Sequence, residues 1–128
     1  MDKVRYVLDT NIVILLLKSE TVSEIFNSAE LFVSIVSRME LLSKSDLTAE
    51  DEQEIRGFLS HVTVVGIDDS IESTVIALRR SRKLKLPDSI IAATAIVLEA
   101  TLLTRDIQMV NISWPSYRVQ DITFAKTL

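Results

Sequence analysis

The segment Val4-Arg5-Tyr6-Val7-Leu8-Asp9-Thr10-Asn11 decides the fold, because it is a short apolar strand that ends directly at an acidic residue. Similar short apolar runs alternate with helical patterns along the rest of the chain. They lie at about residues 31–35, 62–67 and 101–104, and a possible edge strand lies near 117–119. Strands that alternate with helices are typical of βαβ units, which build a mostly parallel sheet with helices on both faces. We therefore predict an α/β domain that occupies residues 1–128.

The helices are predicted from apolar residues at helical spacing and from capping patterns at their first residues. Ser37 and Glu40 have the spacing of a capping box, in which the serine would cap the helix and the glutamate would bond back to its amide. Pro87 is typical of a first helical turn. In chain order, the helices are expected at about residues 12–17, 21–29, 37–44, 49–60, 69–79 and 88–100.

The composition excludes several classes of function. The 128 residues contain no cysteine and one histidine, so thiolate chemistry, a histidine-rich zinc site and a serine–histidine triad are disfavoured. Any metal must be bound mainly by oxygen, which Asp and Glu supply. The net charge of −4 gives no general attraction to nucleic acid. No apolar run reaches the roughly 18 residues that a membrane helix needs, so we expect a cytoplasmic protein without a membrane partner.

Four acidic residues fall where ligands bind in a parallel sheet. Asp9 directly follows the first strand, Glu40 lies in the helix after the second, and Asp106 lies just beyond the fourth. Asp88 begins the helix that leads into the fourth strand. Because ligands bind at the carboxyl ends of parallel strands, we expect these carboxylates to share one cleft. Such a cluster is stable only when it is protonated or holds a cation, and oxygen ligands suit Mg²⁺ or Mn²⁺.

Each of these acids also has a plain structural interpretation. Asp9 or Asn11 could cap the first helix. Glu40 could complete its capping box, Asp88 could open a helix after Pro87, and Asp106 could belong to a turn. Singly the structural interpretation is favoured for each, whereas the four equivalent positions together favour a site.

Four motifs resemble PIN-domain ribonucleases, and in particular the VapC-type toxins of toxin–antitoxin pairs. They run in the family's order over about residues 6–106 and are quoted as Leu8-Asp9-Thr10-Asn11, Ile35-Val36-Ser37-Arg38-Met39-Glu40-Leu41, Leu86-Pro87-Asp88-Ser89-Ile90-Ile91-Ala92-Ala93-Thr94-Ala95 and Leu103-Thr104-Arg105-Asp106. The resemblance implies a three-layer α/β/α domain with strand order 3-2-1-4-5. It also implies cleavage of RNA with Mg²⁺ or Mn²⁺ to give 5′-phosphate and 3′-hydroxyl ends.

The resemblance also assigns roles to individual residues. It places the catalytic, metal-binding acids at Asp9, Glu40, Asp88 and Asp106. Supporting residues are Thr10 and Asn11 beside the first acid, and Thr104 near the site. In one respect the chain departs from the family, because Met109-Val110 stands where an acid followed by Phe is usual.

A concentrated basic run precedes Asp88. Its cations are Arg79, Arg80, Arg82, Lys83 and Lys85. Some of these charges suit the C-terminus of a helix, where cations interact favourably with the helix dipole. Because the run adjoins the proposed phosphate site, we expect it to bind the RNA backbone, which gives affinity without sequence information.

The first helix is predicted to need a partner. Residues 12–17 are apolar on every face, although packing on a sheet covers one side only. Val22, Ile25 and Phe26 could extend the same surface, and such patches usually mark interfaces. The resemblance likewise implies a homodimer and an antitoxin protein that binds near these helices, so we expect both.

Other functions fit parts of the pattern. An RNA-processing PIN nuclease outside toxin–antitoxin systems would have the same acids. A phospho-receiver domain also has a doubly wound sheet and an acidic pocket, but it needs a Lys where Arg105 stands and paired acids after the first strand. A catalytically silent PIN module is disfavoured by four intact acids.

Overall fold

The computed structural model describes residues 3–18 and 28–122. Within these residues the chain forms five strands and six helices, with one or two helices between successive strands. In chain order they are β1 (Val4–Leu8), α1 (Thr10–Leu17), β2 (Ala29–Ser34), α2 (Ile35–Leu42), α3 (Ala49–Leu59), β3 (Thr63–Val65), α4 (Asp69–Ser81), α5 (Leu86–Leu98), β4 (Thr101–Thr104), α6 (Ile107–Val110) and β5 (Arg118–Asp121). The helix predicted over residues 21–29 falls mostly outside the described residues.

The strands form one parallel sheet in the order β3-β2-β1-β4-β5. The α/β class and the strand order 3-2-1-4-5 are therefore confirmed. A receiver-type domain would instead have the order 2-1-3-4-5, so the sheet excludes that alternative. Between β1 and β4 the direction of winding reverses, and this is the point at which sheets of this kind leave a crevice for ligands.

Alternate residues of the central strands face two separate hydrophobic cores. Val7 and Leu102 belong to the core under α4 and α5, whereas Leu8 and Leu103 pack in the core under α1 and α3. Because successive strand residues point to opposite faces of a sheet, this division produces the three layers α/β/α. Val7, Leu8 and Leu102 are fully buried, as expected for a parallel sheet covered on both faces.

The predicted capping box at Ser37 and Glu40 is wrong. Helix α2 begins at Ile35, and Ser34 caps it by accepting a hydrogen bond from the amide of Val36 at 3.1 Å. Two serines three residues apart both fit a capping pattern, and the strand pairing of β2 selects the first because β2 ends at Ser34. Consequently Ser37 and Glu40 lie inside the helix, where they face the site described below.

The rest of the chain covers more of α1 than the side that faces the sheet. Ile12, Val13 and Leu16 are buried in the core, whereas Ile14 and Leu15 are half-buried. Val22, Ile25 and Phe26, which were expected to extend this surface, lie outside the described residues. Among the described helices none is long and apolar enough to cross a membrane.

Candidate active site

Asp9 lies at the carboxyl end of β1, at the point where the sheet reverses its winding. Its amide donates to the carbonyl of Leu103 at 3.0 Å, so the chain leaves β1 directly beside the end of β4. The side chain caps α1, because Oδ1 accepts from the amide of Thr10 at 2.8 Å. Only 7% of Asp9 is exposed. The capping interpretation of this residue is therefore confirmed, and its carboxylate is buried at the edge of the sheet where ligands bind.

Thr104 joins two of the candidate acids. Its hydroxyl donates to Asp9 Oδ2 at 2.7 Å and accepts from the amide of Asp106 at 3.0 Å. Asp106 in turn caps α6, since its Oδ1 accepts from the amide of Gln108 at 2.9 Å. Thr104 is fully buried, so this arrangement ties the backbone of Asp106 to the carboxylate of Asp9.

A second hydroxyl lies on the other side of Asp9. Thr10 Oγ1 is 2.6 Å from Glu40 Oε1 and 2.9 Å from Ser37 Oγ. An ionised carboxylate only accepts, so Thr10 donates its single proton to Glu40. Through this hydrogen bond the exposed glutamate of α2 is held against the first turn of α1, next to Asp9.

The electrostatics of Asp9 show that the acids lie near one another. Burial is the main cause that raises the pKa of Asp9, and the negative charges of Asp106 and Glu40 raise it further. The hydrogen bonds from Thr104 and from the Thr10 amide lower it, but they do not cancel the increase. Ionised Asp9 is therefore destabilised by its surroundings.

Asp88 joins the same cluster from the first turn of α5. Its pKa is raised chiefly by burial, and then by the charges of Asp106, Asp9 and Glu40. The positive charge of Lys85 opposes this increase. All four acids expected from the sequence thus interact electrostatically at one edge of the sheet.

The donor set fits a hard divalent cation. Its ligands are carboxylate oxygens, which Mg²⁺ and Mn²⁺ prefer, and their mutual repulsion is what a bound cation relieves. In the part of the chain that the structure describes, no three acidic or histidine side chains converge closely enough to enclose one ion. Asp106 Oδ2 accepts no hydrogen bond from another described residue, so it is available as a ligand.

Two further residues shape the site, and the sequence alone did not indicate them. Tyr117 donates its hydroxyl to the carbonyl of Met109 in α6 at 2.7 Å. Burial and the charges of Asp9 and Asp106 raise the pKa of Tyr117 far above its usual value, so its hydroxyl stays protonated. Ser37, which had been interpreted as a capping residue, is fully buried beside Thr10.

Asn11 and Met109 contribute differently from the acids. Asn11 is exposed and lines a shallow groove of about 230 Å³ with Arg105. Among the described residues it is not a hydrogen-bond partner of the Asp9 carboxylate, for which Thr10 and Thr104 serve. Met109 is fully buried in the core under α4 and α5, so the departure from the family's pattern falls on a packing position.

The basic run lines an open groove of about 800 Å³ that is formed by the second half of α4 and the loop leading into α5. Two of its arginines also make structural contacts, since Arg79 donates to the carbonyl of Leu84 at 3.3 Å and Arg82 donates to that of Ser113. No acidic side chain among the described residues lines the groove. Its wall is formed by Val75, Ile76, Arg79, Arg80, Arg82, Lys83, Leu84, Lys85 and Leu86.

Comparison with models of known protein families identifies the family to which this chain belongs. The family model of the PIN domain matches residues 6–115, which include all four acids. The chain belongs to the PIN-domain family. A comparison with curated protein sequences gives no match.

Solved structures agree with the assignment to the PIN family. A toxin–antitoxin complex from Klebsiella pneumoniae is 30% identical, with 90% of this chain and 95% of that chain covered and a TM-score of 0.72. VapBC2 from Rickettsia felis, bound to a DNA fragment from its promoter, is 22% identical, with 91% and 98% covered and a TM-score of 0.76. DNA-bound VapBC from Salmonella typhimurium is 23% identical, with 92% and 98% covered and a TM-score of 0.74. The resemblance to VapC-type PIN proteins is thereby confirmed.

Proposed function

We propose that this PIN domain is a metal-dependent endoribonuclease and the toxin of a toxin–antitoxin pair, acting in the cytoplasm. One observation carries the nuclease proposal: four carboxylates gather at the switch point of the sheet, and two of them have a pKa raised by burial and by the others. Repulsion of this kind does not stabilise a fold. A site that takes up a divalent cation and a phosphodiester tolerates it, because the cation compensates the negative charges of the carboxylates.

Each acid has a distinct part in this proposal. Asp9, Asp88 and Asp106 would hold Mg²⁺ or Mn²⁺, and Glu40 would contribute directly or through a water molecule. When bound, the ion supplies the positive charge that activates water and stabilises the charge developing on the attacked phosphate. Thr104 and the Thr10 amide keep Asp9 oriented, because they occupy one lone pair on each of its oxygens.

The toxin role rests on the toxin–antitoxin complex from Klebsiella pneumoniae, which is 30% identical over most of both chains. We propose an antitoxin protein as one partner and a second copy of the chain as another. The half-buried Ile14, Leu15 and Leu17 of α1 provide an apolar surface for such contacts. A groove of about 290 Å³ adjoins it, and Ile14, Leu17 and Leu41 are among the residues that line it.

An RNA cleavage assay tests the proposed activity. We expect the purified protein to cut RNA in Mg²⁺ or Mn²⁺, and we expect EDTA to stop the reaction. Cleavage that persists in EDTA would contradict the metal-dependent mechanism. A protein that binds metal and RNA but leaves the RNA intact would instead be a silent interaction domain. A small neighbouring gene whose product co-purifies with the protein and inhibits it would separate the toxin from an RNA-processing nuclease.

The basic groove is expected to bind the RNA backbone mainly through Arg80 and Lys83. Both are exposed, whereas Arg79 and Arg82 are bound to backbone carbonyls. Replacing Arg80 and Lys83 with Gln should weaken RNA binding and reduce the slope of log K against log salt by about one for each lost phosphate contact.

Fluorescence anisotropy with labelled RNA at several salt concentrations measures this change. Lys44→Gln is the control, because Lys44 is exposed next to α2 and outside the groove. A double variant whose salt slope equals that of the wild-type protein would assign the groove to a different role.

A further inference from the structure

We propose that Ser37 is a positioning residue that acts through Thr10 to fix the direction of the Glu40 carboxylate. This inference rests on the proposed function, since it concerns how one of the candidate acids is held. Its basis is the chain of short contacts Ser37–Thr10–Glu40, with distances of 2.9 Å and 2.6 Å.

The burial of Ser37 requires a hydrogen-bond partner. The residue is fully buried, and a buried hydroxyl without a partner is costly. Helix α2 begins two residues earlier, at Ile35, so Ser37 has no capping task. Among the described residues its side chain bonds to Thr10.

The hydroxyl protons of the Ser37–Thr10–Glu40 contacts have one consistent order. Glu40 accepts, so the single hydroxyl proton of Thr10 points to Glu40. Ser37 must then donate its own proton to a lone pair of Thr10. A row of hydroxyls that donate in the same direction strengthens each bond and fixes the rotation of the middle hydroxyl. Ser37 thereby selects the orientation in which Thr10 faces Glu40.

Glu40 depends on this support because it is exposed. A free glutamate side chain on a helix surface occupies several rotamers, whereas a metal ligand must keep one. Ser37 and Glu40 are three residues apart and so lie on the same face of α2. Thr10 follows Asp9, so the contact brings Glu40 next to the most buried acid of the site.

The contacts that link Ser37 through Thr10 to Glu40 are called the relay below. Three variants test it, and binding of Mn²⁺ measured by calorimetry is the main readout. Loss of a residue that orients a metal ligand typically costs about 10- to 100-fold in metal affinity or activity. For Ser37→Ala and for Thr10→Val we expect a loss of about 10-fold in Mn²⁺ affinity and in single-turnover RNA cleavage. The double variant should lose no more than about twofold beyond Thr10→Val, because both changes break one chain of contacts.

Thr94→Val is the matched control. It also removes a fully buried hydroxyl from a helix, but Thr94 donates to the carbonyl of Ile90 in its own helix, α5. We expect its Mn²⁺ affinity to equal that of the wild-type protein. If Ser37→Ala binds Mn²⁺ as tightly as wild type, or if the two losses multiply in the double variant, the relay is refuted.

Two further variants keep the test decisive. If Ser37→Ala does not fold, Thr10→Ser and Thr10→Val are compared: recovery of the affinity with serine supports the relay, and equal losses overturn it. Glu40→Gln separates this inference from the proposed function. If that variant cleaves RNA and binds Mn²⁺ normally, the assignment of Glu40 to the site is wrong. If it fails while Ser37→Ala is normal, only the relay is wrong.

Discussion

Asp9→Asn is expected to abolish RNA cleavage while making the metal-free protein more stable. The loss of activity should exceed about 100-fold, because residues that only surround a metal site already cost about 10- to 100-fold when they are replaced. Asparagine has nearly the same shape and can still accept the hydrogen bond from the Thr10 amide at Oδ1. Its NH2 group cannot accept from the Thr104 hydroxyl as Oδ2 does, so this lost hydrogen bond offsets part of the gain in stability. The variant thus removes the charge and preserves the cap of α1.

The gain in stability follows from the raised pKa of Asp9, whose ordinary value is 3.8. Because the folded protein binds this proton more tightly than the unfolded chain, ionised Asp9 lowers the free energy of unfolding at neutral pH. That cost is fully present above the folded-state pKa and disappears as the pH falls from there to below 3.8. Removing the charge by mutation removes the cost at neutral pH.

Urea unfolding at pH 7 and at a series of lower pH values down to 3.8, in EDTA, measures this effect. The wild-type protein should be less stable than Asp9→Asn at pH 7, and the difference should shrink as the pH falls toward 3.8. Glu54→Gln is the control, because Glu54 is exposed on α3 and belongs to none of the site's hydrogen bonds. A variant that is inactive but less stable than wild type at pH 7 would mean that Asp9 is mainly a structural cap.

Mg²⁺ or Mn²⁺ is expected to raise the melting temperature of the wild-type protein by on the order of 10 °C at one hundred times Kd. A ligand that binds only the folded state stabilises it by RT ln(1 + [L]/Kd), which is about 2.7 kcal/mol at that concentration. For a domain of this size, each kcal/mol shifts the midpoint by several degrees. We expect the relief of repulsion among Asp9, Asp88 and Asp106 to be the physical source of this affinity.

Asp88→Asn should remove most of the thermal shift, because Asp88 is a proposed ligand whose charge is already disfavoured in the fold. Differential scanning calorimetry with increasing metal, and with EDTA as the blank, gives the midpoint for both proteins. Glu54→Gln should respond to metal as the wild-type protein does. An equal shift in the wild-type and Asp88→Asn proteins would place the bound ion elsewhere on the surface.

The sequence by itself determined the class of the fold and the four candidate acids. Short apolar strands between helices leave few arrangements other than a parallel sheet covered on both faces, because every strand must bury both of its sides. The residue that follows such a strand then lies at the ligand-binding edge, as Asp9 does. The strand order was expected from the resemblance to PIN domains, since no local pattern specifies which strands pair.

Only the tertiary structure decided how these acids are held. The sequence pattern predicted Ser37 as the cap of α2, whereas Ser34 is the cap, because the first helical residue depends on where β2 stops pairing with its neighbours. The resemblance placed Thr10 and Thr104 near the acids. It did not specify the hydrogen bonds from Thr104 to Asp9 and from Thr10 to Glu40, which join residues 95 and 30 positions apart. Such contacts form when the ends of separate strands and helices lie at the same edge of the sheet. The local sequence specifies where each element ends, but not which elements become neighbours.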